Sequence, residues 1–228
     1  CTGNSVYIGH FQGEVIKNYT DIVTEYSTKQ ISVSPKVSVI TAFNNKDEAI
    51  TALQLELSNV DYKNGCSDIT NSWSNVDKIK YYVDMLSKTT SEYSLLVDAY
   101  DVLFFKSIDD EFINKFKELN KRIIFNATKN NHPNFKIDYV PDRESMGEFK
   151  YLNAGVVFGY TDDLLAFYQE ALEKTKRADI INPWESEQLY IRMTSNGKDY
   201  VGFDHECVLF QTFSKTSKTV CGNTIIIT

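Results

Sequence analysis

The sequence predicts an α/β fold in which a mixed, mostly parallel central sheet is flanked by helices. Short apolar runs rich in β-branched residues alternate along the chain with segments that carry apolar residues at helical spacing. The run that ends at Asp98 is continuous rather than alternating, which is typical of a strand buried on both faces of such a sheet. With 228 residues the chain is long enough to bury a sizeable core, and we expect a single domain over residues 1–228.

The first strand–helix unit is predicted between residues 36 and 57. Residues 36–43 form a strand rich in Val, Ile and Thr, and residues 47–57 follow with helical spacing. Such a unit places backbone donors near the end of its strand, where a nucleotide often lies. Before it, residues 1–36 show only a possible strand at 6–8 and a possible helix at 18–26, so this N-terminal segment stays unassigned.

The remaining chain continues the alternation. Helices are predicted over residues 76–86, 108–119, 161–176 and 182–196, and strands over residues 60–62, 95–98, 122–127, 151–160, 200–204 and 224–228. Residues 128–150 have almost no periodicity, which predicts a lid over the site. Within strand 151–160, Gly155 indicates close approach of a ligand or another backbone.

The helix near residue 190 begins with a recognisable pattern of capping residues. Asn182 is the predicted N-cap, Pro183 the first helical residue and Glu185 the third residue of a capping box. Glu187 and Gln188 have no such structural duty, so they are the candidates to face the active site.

Two carboxylates follow the central strand three residues apart. Open α/β sheets bind ligands at the carboxyl ends of their strands, where Asp98 is expected. An Asp-x-x-Asp turn can direct Asp98 and Asp101 at one hard cation, with a ligand diphosphate and water completing its coordination. The alternative is that Asp98 caps the next turn while Asp101 is merely solvated. The spacing excludes haloacid-dehalogenase phosphatases, whose second Asp comes two residues after the first.

Composition and charge exclude other classes of function. A net charge of −7 and a pI near 5.1 leave no basic field for binding nucleic acid. No apolar run has the length of a membrane span. The four cysteines form no C-x-x-C pair, which argues against a zinc site and a disulfide framework, and slightly favours a cytoplasmic location.

Four blocks in order carry a family resemblance: LVDAYDV (96–102), YLNAGVVFGY (151–160), EQLY (187–190) and FDHECVLFQ (203–211). They resemble the glycosyltransferase domain of the procollagen lysyl hydroxylases and its microbial and viral relatives. That family has the GT-A fold, a Rossmann-like arrangement. The resemblance runs from about residue 37 to the end and leaves residues 1–36 outside it.

The resemblance implies a metal-dependent glycosyltransferase that moves glucose or galactose from a UDP-sugar to a hydroxyl of an unknown protein or glycan acceptor. It implies that Asp98 and Asp101 hold Mn²⁺ (or Mg²⁺). The other donor-binding positions that it implies are Thr41, Ala42, Trp73, Lys78 and Tyr100, and those beside the transferred sugar are Asn153, Glu187 and Gln188. Glu187 would act as a base on the acceptor hydroxyl or stabilise an oxocarbenium-like centre, and both roles stay open. For Lys78, a solvated side chain is the alternative to a phosphate contact.

The chain also departs from the family pattern. The family's third metal ligand is a His in a His-Gly-Asn segment after the last strand, and we expect that segment beyond Thr228, in a chain truncated at its C-terminus. His10, His132 and His205 are poor substitutes. A lid His132 in place of an aromatic residue, and a shortened acidic run before Gln188, leave the acceptor open.

Two other functions remain as alternatives. A non-catalytic sugar- or nucleotide-binding module of the same fold is the first. A nucleotidyltransferase is disfavoured, because residues 41–47 contain no Gly-rich phosphate loop.

Overall fold

The computed structural model describes residues 6–12, 17, 20–64, 74–131, 147–180, 182 and 185–213. The strands are β1 (Ile8–Phe11), β2 (Val37–Ala42), β3 (Tyr62–Asn64), β4 (Tyr93–Asp98), β5 (Val102–Phe104), β6 (Ile123–Thr128), β7 (Tyr151–Tyr160), β8 (Val201–Phe203) and β9 (Phe210–Phe213). The helices are α1 (Thr20–Ser27), α2 (Ile50–Leu57), α3 (Asp77–Ser87), α4 (Asp110–Glu118), α5 (Thr161–Thr175) and α6 (Glu187–Ser195). Among these residues no helix has both the length and the apolar character needed to cross a bilayer.

The central sheet has six strands in the order β3-β2-β4-β7-β6-β8. The strand β7 is antiparallel to both of its neighbours, β4 and β6, and the remaining strand pairs are parallel. The prediction of a mixed, mostly parallel sheet is therefore confirmed. Strand β7 consists of the block YLNAGVVFGY. Because it is antiparallel to β4 and β6, its small residues lie beside the ends of those two strands, close to Asp98.

Helices cover both faces of this sheet, as the continuous apolar run of β4 predicts. Leu95 and Val97 point to one face and Leu96 to the other, since successive side chains alternate along a strand. The first face packs against rings that α4 contributes, and the second against α3, α5 and α6. The buried residues of these helices that contact the sheet include Phe112, Phe116, Ile79, Tyr82, Phe167 and Ile191.

A second sheet of three strands, in the order β5-β1-β9, joins the N-terminal segment to the rest of the chain. β1 lies in its centre, antiparallel to β5 and parallel to β9. The amides of Tyr7 and Ile8 donate to Leu209 O at 3.0 and 3.2 Å. The N-terminal segment, which had no role predicted from sequence, thus supplies the central strand of this sheet.

The start of α6 differs from the prediction. The helix begins at Glu187 with Ser186 as N-cap, and Glu185 has a positive φ of 48°. The side chain of Asn182 bonds to both N and O of Ser186, at 3.3 and 3.0 Å, so it closes a turn before the helix instead of capping it. The predicted capping roles of Asn182 and Glu185 are therefore wrong. Pro183, most of the predicted lid (132–146) and the predicted strand 224–228 lie outside the described residues.

Candidate functional site

A cavity of about 310 Å³ opens at the carboxyl ends of β2 and β4, beside the first turn of α6. Eight of the predicted site residues line it: Ala42, Lys78, Asp98, Tyr100, Asp101, Asn153, Glu187 and Gln188. Thr41 is fully buried and is not among the described residues that line the cavity. Trp73 lies outside the described residues. The structure adds Gln12 and Asn75, which the sequence did not single out, and His10, which the sequence analysis named only as a poor substitute for a metal ligand.

His10, Asp98 and Asp101 form a cluster that suits one metal ion. Nε2 of His10 lies 3.3 Å from Oδ1 of Asp101 and 3.8 Å from Oδ2 of Asp98, and one ligand atom from each residue falls within 4.8 Å of the others. Ligands of an octahedral ion with bonds of about 2.1 Å stand about 3 Å apart when adjacent and about 4.2 Å apart when opposite. The three residues are therefore grouped closely enough to hold a metal ion together, and the structure places His10 beside the two carboxylates, which the sequence did not predict.

The pairing of β1 brings His10 to this place. His10 is opposite Val102, the residue that follows Asp101, and also opposite Thr212 of β9. Gly155 of β7 makes room for the imidazole, because a Cβ at that position would lie 2.5 Å from Cε1 of His10. The close approach that Gly155 predicts is thus to a side chain of this protein. No signal near His10 in the sequence would have found it, since the pairing is non-local.

Burial and charge act in opposite directions on His10. Burial lowers the pKa of its imidazole, but the charge and hydrogen bond of Asp101 and the charge of Asp98 outweigh burial, and the pKa is raised. Nδ1 is buried and has no hydrogen-bond partner in the described part of the chain. The ring is held by packing and by the two carboxylates that face Nε2.

Lys78 binds two carboxylates at once. Its Nζ lies 2.7 Å from Oδ1 of Asp98 and 2.6 Å from Oε1 of Glu187, and the residue is only 7% exposed. Burial lowers the pKa of the ammonium, but the charges of Asp98 and Glu187 outweigh it and raise the pKa well above its ordinary value. The alternative of a solvated Lys78 is wrong.

The environment of Asp98 and Asp101 removes the capping interpretation. The carboxylate of Asp98 bonds to Lys78 and faces His10, and the side chain of Asp101 is 17% exposed, so neither a cap nor a solvated group describes them. Burial raises the pKa of Asp98, while the charge of Lys78 opposes this rise. The turn is held instead by Thr51 of α2, whose Oγ1 lies 3.0 Å from Asp98 O and 2.7 Å from Val102 O.

Two amide side chains bond to the backbone of β7, one from α6 (Gln188) and one from β7 itself (Asn153). Oε1 of Gln188 accepts a hydrogen bond from Ala154 N, and Oδ1 of Asn153 accepts one from Gly155 N, both at 3.0 Å. Oδ1 of Asn153 also accepts a hydrogen bond from Nδ2 of Asn126 at 3.5 Å, so the amide is held in place where it lines the cavity.

Tyr100 connects the two strand ends at the opposite wall. Its hydroxyl accepts hydrogen bonds from the amides of Asn44 and Asn45 at 3.1 Å each and donates to Oδ1 of Asn44 at 2.7 Å. The loop after β2 is therefore fastened to the Asp-x-x-Asp turn after β4.

Comparisons with known proteins agree with this architecture. The model of the PLOD GT domain, the glycosyltransferase domain of lysyl hydroxylase, matches residues 37–223. No curated protein matches the chain.

Two solved structures are similar at low sequence identity. A glycosyltransferase involved in the glycosylation of the major capsid of PBCV-1 has a TM-score of 0.42 and 11% identity, covering 79% of this chain and 82% of its own. A 4-diphosphocytidyl-2C-methyl-D-erythritol synthase from Anaerococcus prevotii has a TM-score of 0.38 and 13% identity, covering 91% and 78%. TM-scores this low establish no shared detail of the site.

The family match extends over most of the chain and includes β2 to β9, the Asp-x-x-Asp turn and the acidic start of α6. The mixed, mostly parallel sheet flanked by helices is the arrangement that the sequence predicted. The chain therefore belongs to the PLOD GT domain family and is a glycosyltransferase domain with the GT-A, Rossmann-like fold.

Proposed function

We propose that this glycosyltransferase moves a hexose, glucose or galactose, from a UDP-sugar to a hydroxyl of a protein or glycan acceptor, and that it depends on Mn²⁺ or Mg²⁺. The observation that carries the proposal is the cluster of His10, Asp98 and Asp101 in the cavity at the end of β4. Carboxylate oxygens with one imidazole suit these hard octahedral cations better than they suit copper, and they leave coordination positions for a diphosphate.

The proposed roles of the side chains follow from their positions. His10 Nε2, Asp98 Oδ2 and Asp101 Oδ1 would hold the cation. When bound, a divalent cation stabilises the negative charge that develops on a leaving diphosphate. Ala42 and Tyr100 line the wall where the uridine would lie.

The sugar would lie on the opposite side of the cavity. Asn153 lines this part of the cavity, and its NH₂ group would donate a hydrogen bond to a sugar hydroxyl. Gln188 is held by the backbone of β7 and shapes that wall. Glu187 is only 8% exposed and paired with Lys78, and its carboxylate would stabilise positive charge at the sugar or activate the acceptor hydroxyl.

The metal dependence is tested by titrating the full chain with Mn²⁺, alone and with UDP, in a calorimeter. His10→Ala and Asp101→Asn should each weaken Mn²⁺ binding by at least about tenfold, since removing even a supporting residue of a metal site costs that much. His205→Ala is the matched control, because His205 does not line the cavity and bonds locally to Phe203 O. Equal Mn²⁺ affinity of wild type and His10→Ala would contradict the assignment.

The transferase activity is tested by UDP release from UDP-glucose and UDP-galactose. Turnover that requires Mn²⁺ or Mg²⁺ and is lost in Asp101→Asn is the expected result. Binding of UDP and Mn²⁺ without hydrolysis or transfer would favour the alternative, a non-catalytic sugar- or nucleotide-binding module.

A further inference from the structure

Lys78 stands between the proposed metal site and a third acid. It is the second residue of α3, and its ammonium bridges Asp98 at the end of β4 and Glu187 at the start of α6. Because Nζ lies 2.7 Å from one carboxylate oxygen and 2.6 Å from the other, those two oxygens are both within its immediate reach. We infer that Lys78 determines which cation the site selects, by limiting the number of carboxylate oxygens that a cation can reach.

The two oxygens of Asp98 are divided between two partners. Oδ1 accepts the hydrogen bond from Lys78, and Oδ2 faces Nε2 of His10. A cation held with His10 and Asp101 would therefore meet Asp98 first through Oδ2. Bidentate coordination by Asp98 would place the cation on the same oxygen as the ammonium or break their 2.7 Å hydrogen bond, and both are costly because the Lys78 side chain is only 9% exposed.

Glu187 is excluded in the same way. Its Oε1 is bound to Lys78 and its side chain is 10% exposed, so the ammonium holds this carboxylate in place. The group of described residues that could hold a metal ion consists of His10, Asp98 and Asp101, and Glu187 is not part of it. An octahedral ion would keep its other positions for oxygens of a ligand and for water.

This limit discriminates between cations of different size. Mn²⁺ and Mg²⁺ accept six ligands at short bonds, whereas Ca²⁺ takes six to eight oxygens and favours bidentate carboxylates. Removing the ammonium would free Oδ1 of Asp98 and allow Glu187 to approach, so the number of available oxygens would increase. Losing one positive charge strengthens the attraction for every divalent cation, but the extra oxygens favour Ca²⁺ in particular. The ratio of the Mn²⁺ and Ca²⁺ affinities therefore separates the effect of Lys78 on the available oxygens from the effect of its charge.

The experiment measures Mn²⁺, Mg²⁺ and Ca²⁺ binding to the full chain without nucleotide, by calorimetry. In Lys78→Met the preference for Mn²⁺ over Ca²⁺ should fall by at least about tenfold, as expected when coordination changes from monodentate to bidentate. Lys78→Arg keeps a cation with forked donors between the two carboxylates, and should retain the wild-type ratio within about threefold. Tyr168→Phe is the control, because the buried Tyr168 hydroxyl has no hydrogen-bond partner in the described part of the chain.

A second variant covers the case in which Lys78→Met does not fold. Lys78→Met combined with Glu187→Gln removes the acid left unpaired, and the ratio should still shift towards Ca²⁺ through Asp98 alone. An unchanged ratio in a folded variant that lacks Lys78, or an equal shift in Tyr168→Phe, would overturn the inference.

This inference rests on the proposed function, and the two can fail separately. If the wild type binds Mn²⁺ in preference to Ca²⁺ but transfers no sugar, the proposed function is wrong. The role of Lys78 is then decided by the change in the ratio of Mn²⁺ to Ca²⁺ affinity in the Lys78 variants. If the wild type binds none of the three cations, both are overturned.

Discussion

Asp204 offers a sharp test of how the N-terminal strand is held at the site. Its buried carboxylate follows β8 and accepts three main-chain hydrogen bonds in the turn that leads to β9. The donors are the amides of Val208 at 2.8 Å, Leu209 at 2.7 Å and Phe210 at 2.7 Å. The carbonyl oxygen of Leu209 in turn accepts the amides at the start of β1. One carboxylate thus shapes the turn on which the strand of His10 docks.

Asp204→Ala leaves three amide donors without an acceptor. An unsatisfied buried donor costs about 1–3 kcal/mol, so independent losses would sum to about 3–9 kcal/mol. Only the amides of Leu209 and Phe210 bond where no solvent reaches, and water can replace the acceptor for Val208 at the partly buried end of the turn. The two remaining donors give an expected loss of about 2–6 kcal/mol in the free energy of unfolding, a large effect for one substitution.

The measurement is urea unfolding followed by far-ultraviolet circular dichroism. Asp199→Ala is the matched control: it removes an exposed carboxylate five positions earlier, and should change the free energy of unfolding by less than about 0.5 kcal/mol. Asp204→Asn keeps one acceptor oxygen and should lie between the two. A loss below about 1 kcal/mol in Asp204→Ala, with an unchanged denaturant slope, would refute the claim that this carboxylate organises the turn.

Three further substitutions or treatments address the neighbouring structure. Gly155→Ala should lower the free energy of unfolding, measured in urea, by about 1–3 kcal/mol, because its methyl group would overlap the ring of His10. The same change should cost clearly less in a His10→Ala background. Equal costs in both backgrounds would mean that the ring does not fill this space. Thr51→Val removes the hydroxyl that bonds to the backbone of the Asp-x-x-Asp turn. It should lower the free energy of unfolding by about 1–2 kcal/mol and speed amide hydrogen exchange in that turn. Unaltered exchange would contradict the role of Thr51 in holding the turn. Burial raises the pKa of the Cys207 thiol to about 12. Near pH 8 its alkylation, followed by peptide mass spectrometry, should therefore be slow in the folded chain and fast in urea. Rapid alkylation without urea would show that the thiol is accessible.

Much of the fold was predictable because its signals are local. Strands β4, β6 and β7 are rich in apolar residues without strict alternation, which places them in the middle of a sheet covered on both faces. Helices α3 and α5 follow from apolar residues at helical spacing. The carboxylate pair after β4 was predictable for the same reason, since the end of a buried strand is visible from its own neighbours in sequence.

Other features depended on partners that the local pattern does not contain. The start of α6 was misplaced because the Asn182 side chain has two competing uses, a helix cap and a closed turn, and residues 182–187 fit both. Lys78 was expected at a phosphate or in solvent, and its pairing with Glu187 appears only when α3 and α6 meet.

The sequence by itself determined the type of each central element, the order of strand and helix, and the acidic turn that marks the site. Only the tertiary structure decided that β1 enters between β5 and β9, and so carries an imidazole from the N-terminal segment to those carboxylates. The physical reason is that hydrophobic periodicity records contacts within a few residues, whereas strand pairing between distant segments is stabilised by many weak contacts spread over the whole chain.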